Sequence, residues 1–396
     1  MSLHFSRSFF GRLGGRKEKN ANMTTEVIRL YDNPSLQSVK EAVISALRGG
    51  KLVVFPTETV YGIGALASSP EAVNRLVTAK GRKKGHAIPV AISGWRALRA
   101  YSPDVDEVTA RLARRLWPGP VTLVADATSP KSRFASLADE VKNVIMPRGT
   151  VGYRVPSHTV FTDILRELNE PLLLTSANLT GEPPAVNAES AKVGLGDRPD
   201  LIIDDGPAGF QRPSTVLSIS NGAVNIIREG VYTKERIERM KVKMILFVCT
   251  GNTCRSPMAE MICANMIARH LGCEVDELES RGYLVMSAGV AALPDLPASP
   301  DAIEVMKNRG ISLENHQTQP LSDDLLRYAD RIYVMGRAHQ EAISLQWPDH
   351  AERISLLSTD GSDICDPLGG DSQVYQECAK QIESELRKHF SEIISP

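Results

Sequence analysis

The chain has 396 residues, a formal net charge of −1 and 23% charged residues. This length exceeds what one ordinary hydrophobic core organises, so two or three domains are expected. The balanced charge excludes binding of nucleic acid or membranes through overall charge and leaves only local patches for such binding. No apolar run approaches the ~18 residues of a membrane span, so no membrane partner is expected.

All six cysteines lie at position 249 or beyond, and the first 248 residues contain none. A secreted disulfide framework would not leave that half empty, and no signal peptide is visible, so a cytoplasmic location is expected. Residues 1–24 are basic and contain three phenylalanines. We expect a disordered arm there, with a targeting or surface-binding arm as the alternative.

In chain order, residues 25–232 alternate between strand and helix patterns. The spacing of apolar residues over 71–80 predicts a helix. Strands are predicted at 51–55, 88–92, 121–125, 143–146, 172–175, 201–203, 215–219 and 224–227. Many strands with few long helices between them indicate a mixed, twisted sheet, which makes this half α/β in class.

Residues 233–243 are charged and predict a linker or connecting helix. Beyond them, from residue 244 to the end, strands and helices alternate regularly, which indicates a doubly wound parallel sheet. The strands are predicted at 245–248, 283–287 and 331–335, and the helices at 257–271, 300–309, 323–328 and 373–390. Such sheets bind ligands at the carboxyl ends of their strands, which is where Cys249 lies.

Cys249 and Arg255 are separated by a short, turn-prone loop made of Thr250, Gly251, Asn252, Thr253 and Cys254. Backbone N–H groups of such a loop, together with the positive end of the following helix, form a phosphate cradle. Arg255 can bind two phosphate oxygens at once. The same positive field favours the thiolate of Cys249, which can attack phosphorus and form a phosphocysteine.

Asp366, followed by Pro367 in a glycine-rich loop, is the candidate general acid, and later the base that activates water. Ser256 could donate a hydrogen bond to the departing sulfur. Asn252 could hold the loop in shape through its side-chain amide. The alternative, a buried cysteine beside an unrelated arginine, requires no such acid.

This half resembles the low-molecular-weight protein tyrosine phosphatases. The shared segments are 247–260, 287–289 and 366–367. The resemblance implies Cys249 as nucleophile, Arg255 as transition-state clamp and Asp366 as acid, with no cofactor. Thr253 and the absence of aromatic residues after Asp366 resemble the bacterial arginine-phosphate phosphatases, so phosphotyrosine and phosphoarginine proteins both stay open as substrates.

Two smaller questions concern the cysteines. The resemblance allows Cys254 to form a reversible disulfide with Cys249, and the alternative is a small residue that fills the loop. A thiol-linked arsenate reductase would need a relaying cysteine pair. No cysteine lies between 274 and 364 to supply one.

The first half carries a second signature. Residues 56–64 are rich in hydroxyls and glycines, which permit close approach to a small polar ligand. The helix predicted at 71–80 then delivers Lys80 and Arg82, a pair of cations that suits a triphosphate or a carboxylate. Lys83 and Lys84 extend this basic patch. A solvated basic turn is the alternative interpretation on charge alone.

Six ordered segments resemble the threonylcarbamoyl-AMP synthases of the Sua5/YrdC type: 56–64, 80–82, 117–122, 175–181, 213–216 and 228–230. The resemblance implies that L-threonine, bicarbonate and ATP give threonylcarbamoyl-AMP for tRNA modification, with Mg²⁺ on the phosphates. It places Thr59, Ser176 and Ser214 at threonine. It places Arg82, His86, Thr122, Asn178 and Arg228 at the nucleotide, and Lys80 where negative charge develops.

Two other arrangements stay open. The first half could be an RNA-binding module without catalysis, using the basic patch from Lys80 to Lys84, and its binding would then weaken steeply with salt. The fusion could also be regulatory, with either half controlling the other. Partners expected beyond the small molecules are a phosphoprotein substrate and tRNA or tRNA-modification proteins.

Overall fold

The computed structural model describes residues 25–82, 85–220 and 223–395. These residues form two separate sheets, one of ten strands and one of four. The predicted basic arm, residues 1–24, lies outside the described residues, as do Lys83 and Lys84 of the basic patch. None of the described helices combines the length and apolar character needed to cross a bilayer.

The first half contains ten strands and seven helices among the described residues. Its strands are β1 Glu26–Arg29, β2 Val53–Phe55, β3 Gly62–Leu66, β4 Val90–Ala91, β5 Val121–Asp126, β6 Thr150–Arg154, β7 Leu172–Ser176, β8 Leu201–Asp204, β9 Thr215–Ser220 and β10 Ala223–Arg228. Its helices are α1 Leu36–Arg48, α2 Pro70–Ala79, α3 Leu98–Tyr101, α4 Glu107–Leu116, α5 Asp139–Ile145, α6 Thr159–Leu168 and α7 Ala188–Leu195.

The strands of this half pair in the order β1-β8-β2-β3-β7-β4-β6-β5-β9-β10. Parallel and antiparallel pairs are mixed, as the sequence predicted. Alternate residues of one strand reach opposite faces. Val54 therefore packs in one buried apolar cluster with α2 and α4, whereas Val53 and Phe55 pack in a second with α1 and α6.

Helix α8, Lys234–Lys241, connects the halves. The second half then contains β11 Lys243–Cys249, α9 Arg255–Leu271, β12 Tyr283–Gly289, α10 Pro300–Asn308, α11 Asp323–Tyr328, β13 Arg331–Val334, α12 Arg337–Gln346, β14 Ile354–Leu356 and α13 Ser372–Ile394. All its strand pairs are parallel, in the order β12-β11-β13-β14. Helices cover both faces, which confirms the doubly wound parallel sheet.

Three sequence expectations need correction. Residues 143–146, predicted as a strand, fall mostly in helix α5, where Val141 and Ile145 are buried one turn apart. Long helices are more frequent in the first half than predicted, since α1, α4 and α6 each have ten or more residues. Of the two alternatives for 233–243, the structure has the connecting helix and not the free linker: Ile237 of α8 is fully buried against the first core, and Lys243 already begins β11.

Candidate active sites

Cys249 lies at the carboxyl end of β11, in the interior of the four-stranded sheet, and is buried. Its register partner on β12 is Gly289. A Cβ on Gly289 would lie only 2.5 Å from the carbonyl oxygen of Thr250 and 2.9 Å from the backbone nitrogen of Asn252. A glycine is therefore required where the loop after Cys249 curls over the end of β12.

Asn252 holds this loop in shape from inside. Its φ of 57° is left-handed, a conformation that asparagine tolerates better than most residues. Its side chain is fully buried, and its amide donates to the hydroxyl of Ser287 at 2.8 Å and accepts from the backbone N–H of Gln319 at 2.9 Å. Its own backbone N–H points at the sulfur of Cys249, 3.3 Å away.

Ser256, in the first turn of α9, lies beside the sulfur. Its Oγ is 2.9 Å from Cys249 Sγ and accepts from the Asn252 amide at 3.0 Å. The hydroxyl accepts through a lone pair in this contact, so its own proton stays free to be donated. The acceptor can be Cys249 Sγ or the carbonyl oxygen of Ala288, which is 3.3 Å away. Ser256 can therefore stabilise a thiolate by hydrogen bonding.

Arg255 is brought together with Asp366, 111 residues later in the chain. Its guanidinium donates to the Asp366 carboxylate and to the carbonyl oxygen of Ile364, the latter at 3.5 Å. Arg255 is buried, whereas the side chain of Asp366 is half exposed. The three predicted catalytic residues therefore surround one loop, with the acid on its solvent side.

The other loop residues contact neighbouring elements of the second half. Thr250 Oγ1 is 2.9 Å from Nε2 of His339, and Thr253 accepts the backbone N–H of Ser299 through its carbonyl oxygen. Cys254 is buried, and its sulfur contacts the hydroxyls of Ser299 at 3.2 Å and Tyr375 at 3.5 Å. All six cysteines are free thiols in the structure.

Sequence reasoning missed two histidines and a glutamate around this loop. Nε2 of His316 is 2.8 Å from the carbonyl oxygen of Asn252. Burial lowers the pKa of His316, and burial together with the Arg255 charge lowers that of His339. Glu260 accepts a hydrogen bond from Ser287, and burial raises its pKa to about 7. The two histidines could not be predicted from the loop sequence, because they lie far from it in the chain and contact it only in the folded structure.

A cavity of about 540 Å³ opens in the ten-stranded sheet and collects most of the residues predicted to bind threonine and ATP. Those that line it are Arg82, Thr122, Ser176, Asn178, Ser214 and Arg228. They come from segments far apart in the chain. Thr122 on β5 and Ser214 before β9 are neighbours, with their hydroxyl oxygens 3.0 Å apart.

Two cationic side chains at this cavity, Arg82 and Arg228, have only neutral hydrogen-bond partners among the described residues, whereas Arg154 pairs with Glu58. Arg82 donates to the carbonyl oxygens of His86 and Ala87, and Arg228 donates to the carbonyl oxygen of Ser214 at 2.8 Å. Burial, followed by the charge of nearby Arg154, lowers the pKa of Arg228. Such cations lack a countercharge, which favours an anionic ligand.

Lys80 lies beneath the cavity, at the end of α2, and is almost fully buried. Its ammonium donates to the carbonyl oxygens of Ser176, at 2.6 Å, and of Asn178. Burial, and secondarily the charge of Arg82, lowers its pKa to about 8. The Asn178 amide in turn donates to the carbonyl oxygens of Leu179 and Glu182, so Lys80 is fixed against a rigid turn.

Thr59 is fully buried behind the cavity wall. It accepts a hydrogen bond at 2.7 Å from Arg154, which also binds Glu58 at 2.8 Å. Arg154 lines the cavity, and its buried Nε has no hydrogen-bond partner in the described structure. Sequence reasoning missed Arg154. An arginine at the end of a buried strand is a pattern that could have indicated a ligand-binding residue.

His86, which was predicted to bind the nucleotide, is not among the residues that line the cavity. Its side chain is exposed and lies outside the cavity lining, and only its backbone carbonyl is used, by Arg82. Gly81 and Gly85, which precede His86 in the chain, have left-handed φ values of 57° and 85°. Within the described residues, no group of three acidic, histidine or cysteine side chains could hold a metal ion.

Two family profiles match the chain. The profile Sua5_yciO_yrdC, described as "Telomere recombination", matches residues 45–230, and the profile of the low molecular weight phosphotyrosine protein phosphatases matches residues 244–395. A putative threonylcarbamoyl-AMP synthase of Mycobacterium tuberculosis is 35% identical over 196 residues, which are 50% of this chain and 86% of the relative.

A protein-arginine-phosphatase of Bacillus subtilis is 37% identical over 148 residues, which are 36% of this chain and 92% of the relative. Among solved structures, a YwlE mutant from the same organism aligns with 32% identity and a TM-score of 0.34, covering 39% of this chain and 99% of that one. The two halves therefore have separate relatives.

Proposed function

Because the chain belongs to the Sua5/YrdC family over its first half and to the low-molecular-weight phosphotyrosine protein phosphatase family over its second, we propose that it is a bifunctional enzyme. The second half would hydrolyse a phosphoprotein, and the first would make threonylcarbamoyl-AMP. The observation that carries the phosphatase proposal is that the Cys249 sulfur lies beside the Asn252 N–H and the Ser256 hydroxyl, while Arg255 at the start of α9 contacts Asp366.

In the first step, the Cys249 thiolate attacks phosphorus, an S–P bond forms, and the bond to the leaving group breaks. Arg255 and the loop N–H groups bind the charge on the equatorial oxygens. Asp366 gives its proton to the departing atom. In the second step, water gives its proton to Asp366 and attacks phosphorus, the S–P bond breaks, and inorganic phosphate leaves. Ser256 stabilises the released thiolate.

Phosphoarginine is the proposed substrate, with phosphotyrosine as the competitor. Two features support it: Thr253 places a hydroxyl on the loop, and the acid loop around Asp366 has no aromatic residue to stack on a phenol ring. The B. subtilis relative is named for phosphoarginine. A tyrosine-directed site would gain from an aromatic wall, whereas this loop exposes Leu368.

The assay compares the purified chain on phosphoarginine and phosphotyrosine peptides of the same sequence. We expect faster release from phosphoarginine, measured as kcat/KM. Faster release from phosphotyrosine would overturn the substrate assignment and leave the phosphatase assignment in place. No release from either would overturn both.

The synthase proposal is carried by Arg82 and Arg228, which line one cavity without a carboxylate partner, and by buried Lys80 next to it. A triphosphate and a threonine carboxylate together would supply the anions that these three cations lack. Lys80 and Arg82 would bind the phosphates, and Thr122 and Asn178 would contact the rest of the nucleotide. The residues expected to position L-threonine are Ser176, Ser214 and buried Thr59. Catalysis would rest on positioning and charge stabilisation, since no covalent nucleophile is required.

Mg²⁺ is expected to arrive on the phosphate oxygens of ATP, as is usual for this ion. The cavity fits that expectation, because it offers cations and hydroxyls and, among the described residues that line it, the one acidic side chain is Glu182. When bound, the ion would screen the triphosphate charge. The protein residues would hold the rest of the nucleotide and the threonine.

The synthase test measures pyrophosphate release from ATP in bicarbonate buffer, with and without L-threonine. Threonine-dependent release supports the enzyme. Salt-sensitive RNA binding without threonine-dependent release would instead support a non-catalytic RNA-binding module. Participation in tRNA modification follows if threonylcarbamoyl-AMP is the product.

A further inference from the structure

The carboxyl ends of α4 and α11 face each other across the boundary between the two halves. Arg327 of α11 donates to the carbonyl oxygens of Arg114 at 3.1 Å, Arg115 at 3.2 Å and Trp117 at 2.9 Å. In return, Arg114 and Arg115 donate to the carbonyl oxygens of Arg327 and Tyr328, both at 2.9 Å. Unpaired carbonyls and the negative dipole end make a helix C-terminus a site for cations. Each half therefore caps a helix of the other.

Asp330, just beyond α11, forms ion pairs with three arginines of α4. Its carboxylate accepts from Arg111 at 2.9 Å, Arg114 at 2.7 Å and Arg115 at 2.8 Å, and also from the backbone N–H of Met244 at 2.8 Å. All four charged side chains are buried. Burial would raise the pKa of Asp330, but the three guanidinium charges outweigh it and lower that pKa. The carboxylate thus joins α4 to the start of β11.

The connecting segment is fastened to the same helix. Arg115 donates to the carbonyl oxygens of Met240 at 2.6 Å and Val242 at 2.7 Å, and Arg111 donates to that of Lys241 at 3.1 Å. The boundary between the halves is therefore built from buried, charge-assisted hydrogen bonds, which fix geometry more firmly than an exposed linker. We call this set of contacts, centred on α4, Arg327 and Asp330, the joint.

The joint contacts the segment 117–122, which leads to the cavity in the ten-stranded sheet. Trp117 is buried, and its indole N–H donates to the carbonyl oxygen of Val121 at 2.7 Å. The next residue, Thr122, lines the cavity and meets Ser214. The backbone carbonyl of Trp117 is the acceptor that Arg327 holds. Arg327 therefore fixes one end of a short loop whose other end carries a predicted nucleotide-binding hydroxyl.

We propose that Arg327, a residue of the second half, is a positioning residue for the active site of the first half. It acts through Trp117 on Thr122. The inference rests on the proposed synthase function. It makes the phosphatase half a structural part of the synthase, in addition to any activity of its own.

The test uses the full chain with Arg327→Gln, which removes the charge, and Arg327→Lys, which keeps it. Arg309→Gln is the matched control, because the ion pair of Arg309 with Glu383 stays within the second half. Synthase kcat and KM for ATP, phosphatase kcat/KM, and amide hydrogen exchange over residues 117–122 are measured for each.

For Arg327→Gln we expect KM for ATP to rise about tenfold, the scale of one lost charge-assisted hydrogen bond, with a smaller change in kcat. Exchange over 117–122 should quicken, and phosphatase activity should stay within about twofold. Arg327→Lys should raise the KM for ATP less than Arg327→Gln does. Arg309→Gln should change neither activity.

An unchanged KM and unchanged exchange in Arg327→Gln would overturn the inference. So would an equal loss of both activities with a lowered melting temperature, because that pattern indicates general destabilisation. If the unaltered chain makes no threonylcarbamoyl-AMP, the proposed synthase function fails. The exchange of residues 117–122 then tests the structural part of the inference, that Arg327 orders the loop leading to Thr122: unchanged exchange contradicts it, and locally faster exchange supports it.

Discussion

Arg255 donates a hydrogen bond to the carboxylate of Asp366, so the predicted phosphate clamp and the predicted acid hold each other. The guanidinium is buried and anchored at the start of α9, whereas the carboxylate stands half exposed on a loop. An incoming phosphate dianion would compete for Arg255 and release Asp366. The acid would then be free to reach the leaving group that the same phosphate carries.

Asp366→Ala tests the acid. We expect turnover of a phosphopeptide to fall by ~10²–10⁴-fold, because its leaving group must be protonated. Hydrolysis of p-nitrophenyl phosphate should fall much less, since p-nitrophenolate leaves without a proton. Steady-state rates on both substrates check this. Equal losses on the two would contradict the assignment of Asp366 as acid.

Thr253→Ile tests substrate choice. The exchange replaces a hydroxyl on the loop with a branched aliphatic chain, so a hydrogen bond to a guanidinium would be lost and an apolar contact to a ring gained. We expect the ratio of phosphoarginine to phosphotyrosine kcat/KM to fall about tenfold or more. Thr253→Ser, which keeps the hydroxyl, is the control and should preserve the ratio. A ratio unaltered by Thr253→Ile would exclude Thr253 as the determinant.

Lys80 gives the synthase a predicted pH limit. Its pKa is lowered to about 8, so the ammonium is protonated below that pH and loses its charge as the pH rises through it. The kcat/KM for ATP, which reports the free enzyme, should therefore decline above about pH 8. Lys80→Arg, which stays charged, should retain its rate over pH 8–9.5. A wild-type profile that stays flat to pH 10 would contradict a charged role for Lys80.

Much of the phosphatase site could be predicted because its loop is contiguous in sequence. Cys249, Asn252 and Arg255 lie within seven residues, and spacing alone relates them. His316 and His339 complete the site from other elements, and their roles depend on tertiary contacts that no local pattern encodes. The same limit explains why Arg154 was missed in the first cavity while Lys80 and Arg82, two residues apart, were found.

The joint between the halves could not be predicted for a different reason. Arg111, Arg114 and Arg115 lie on one helix face, a pattern that usually marks a solvated surface. Their burial depends on Asp330, more than 200 residues away, and on the carbonyl oxygens at the end of α11. The charged segment before β11 left a linker and a connecting helix open for the same reason, and the structure has the helix, with Ile237 packed into the first core.

The central claim, two active sites with separate catalytic residues on one chain, is tested most directly by assaying both activities in Cys249→Ser and Lys80→Ala. We predict that Cys249→Ser abolishes phosphopeptide hydrolysis and keeps threonine-dependent pyrophosphate release, and that Lys80→Ala does the reverse. Loss of both activities in either variant, or survival of hydrolysis in Cys249→Ser, would contradict the account.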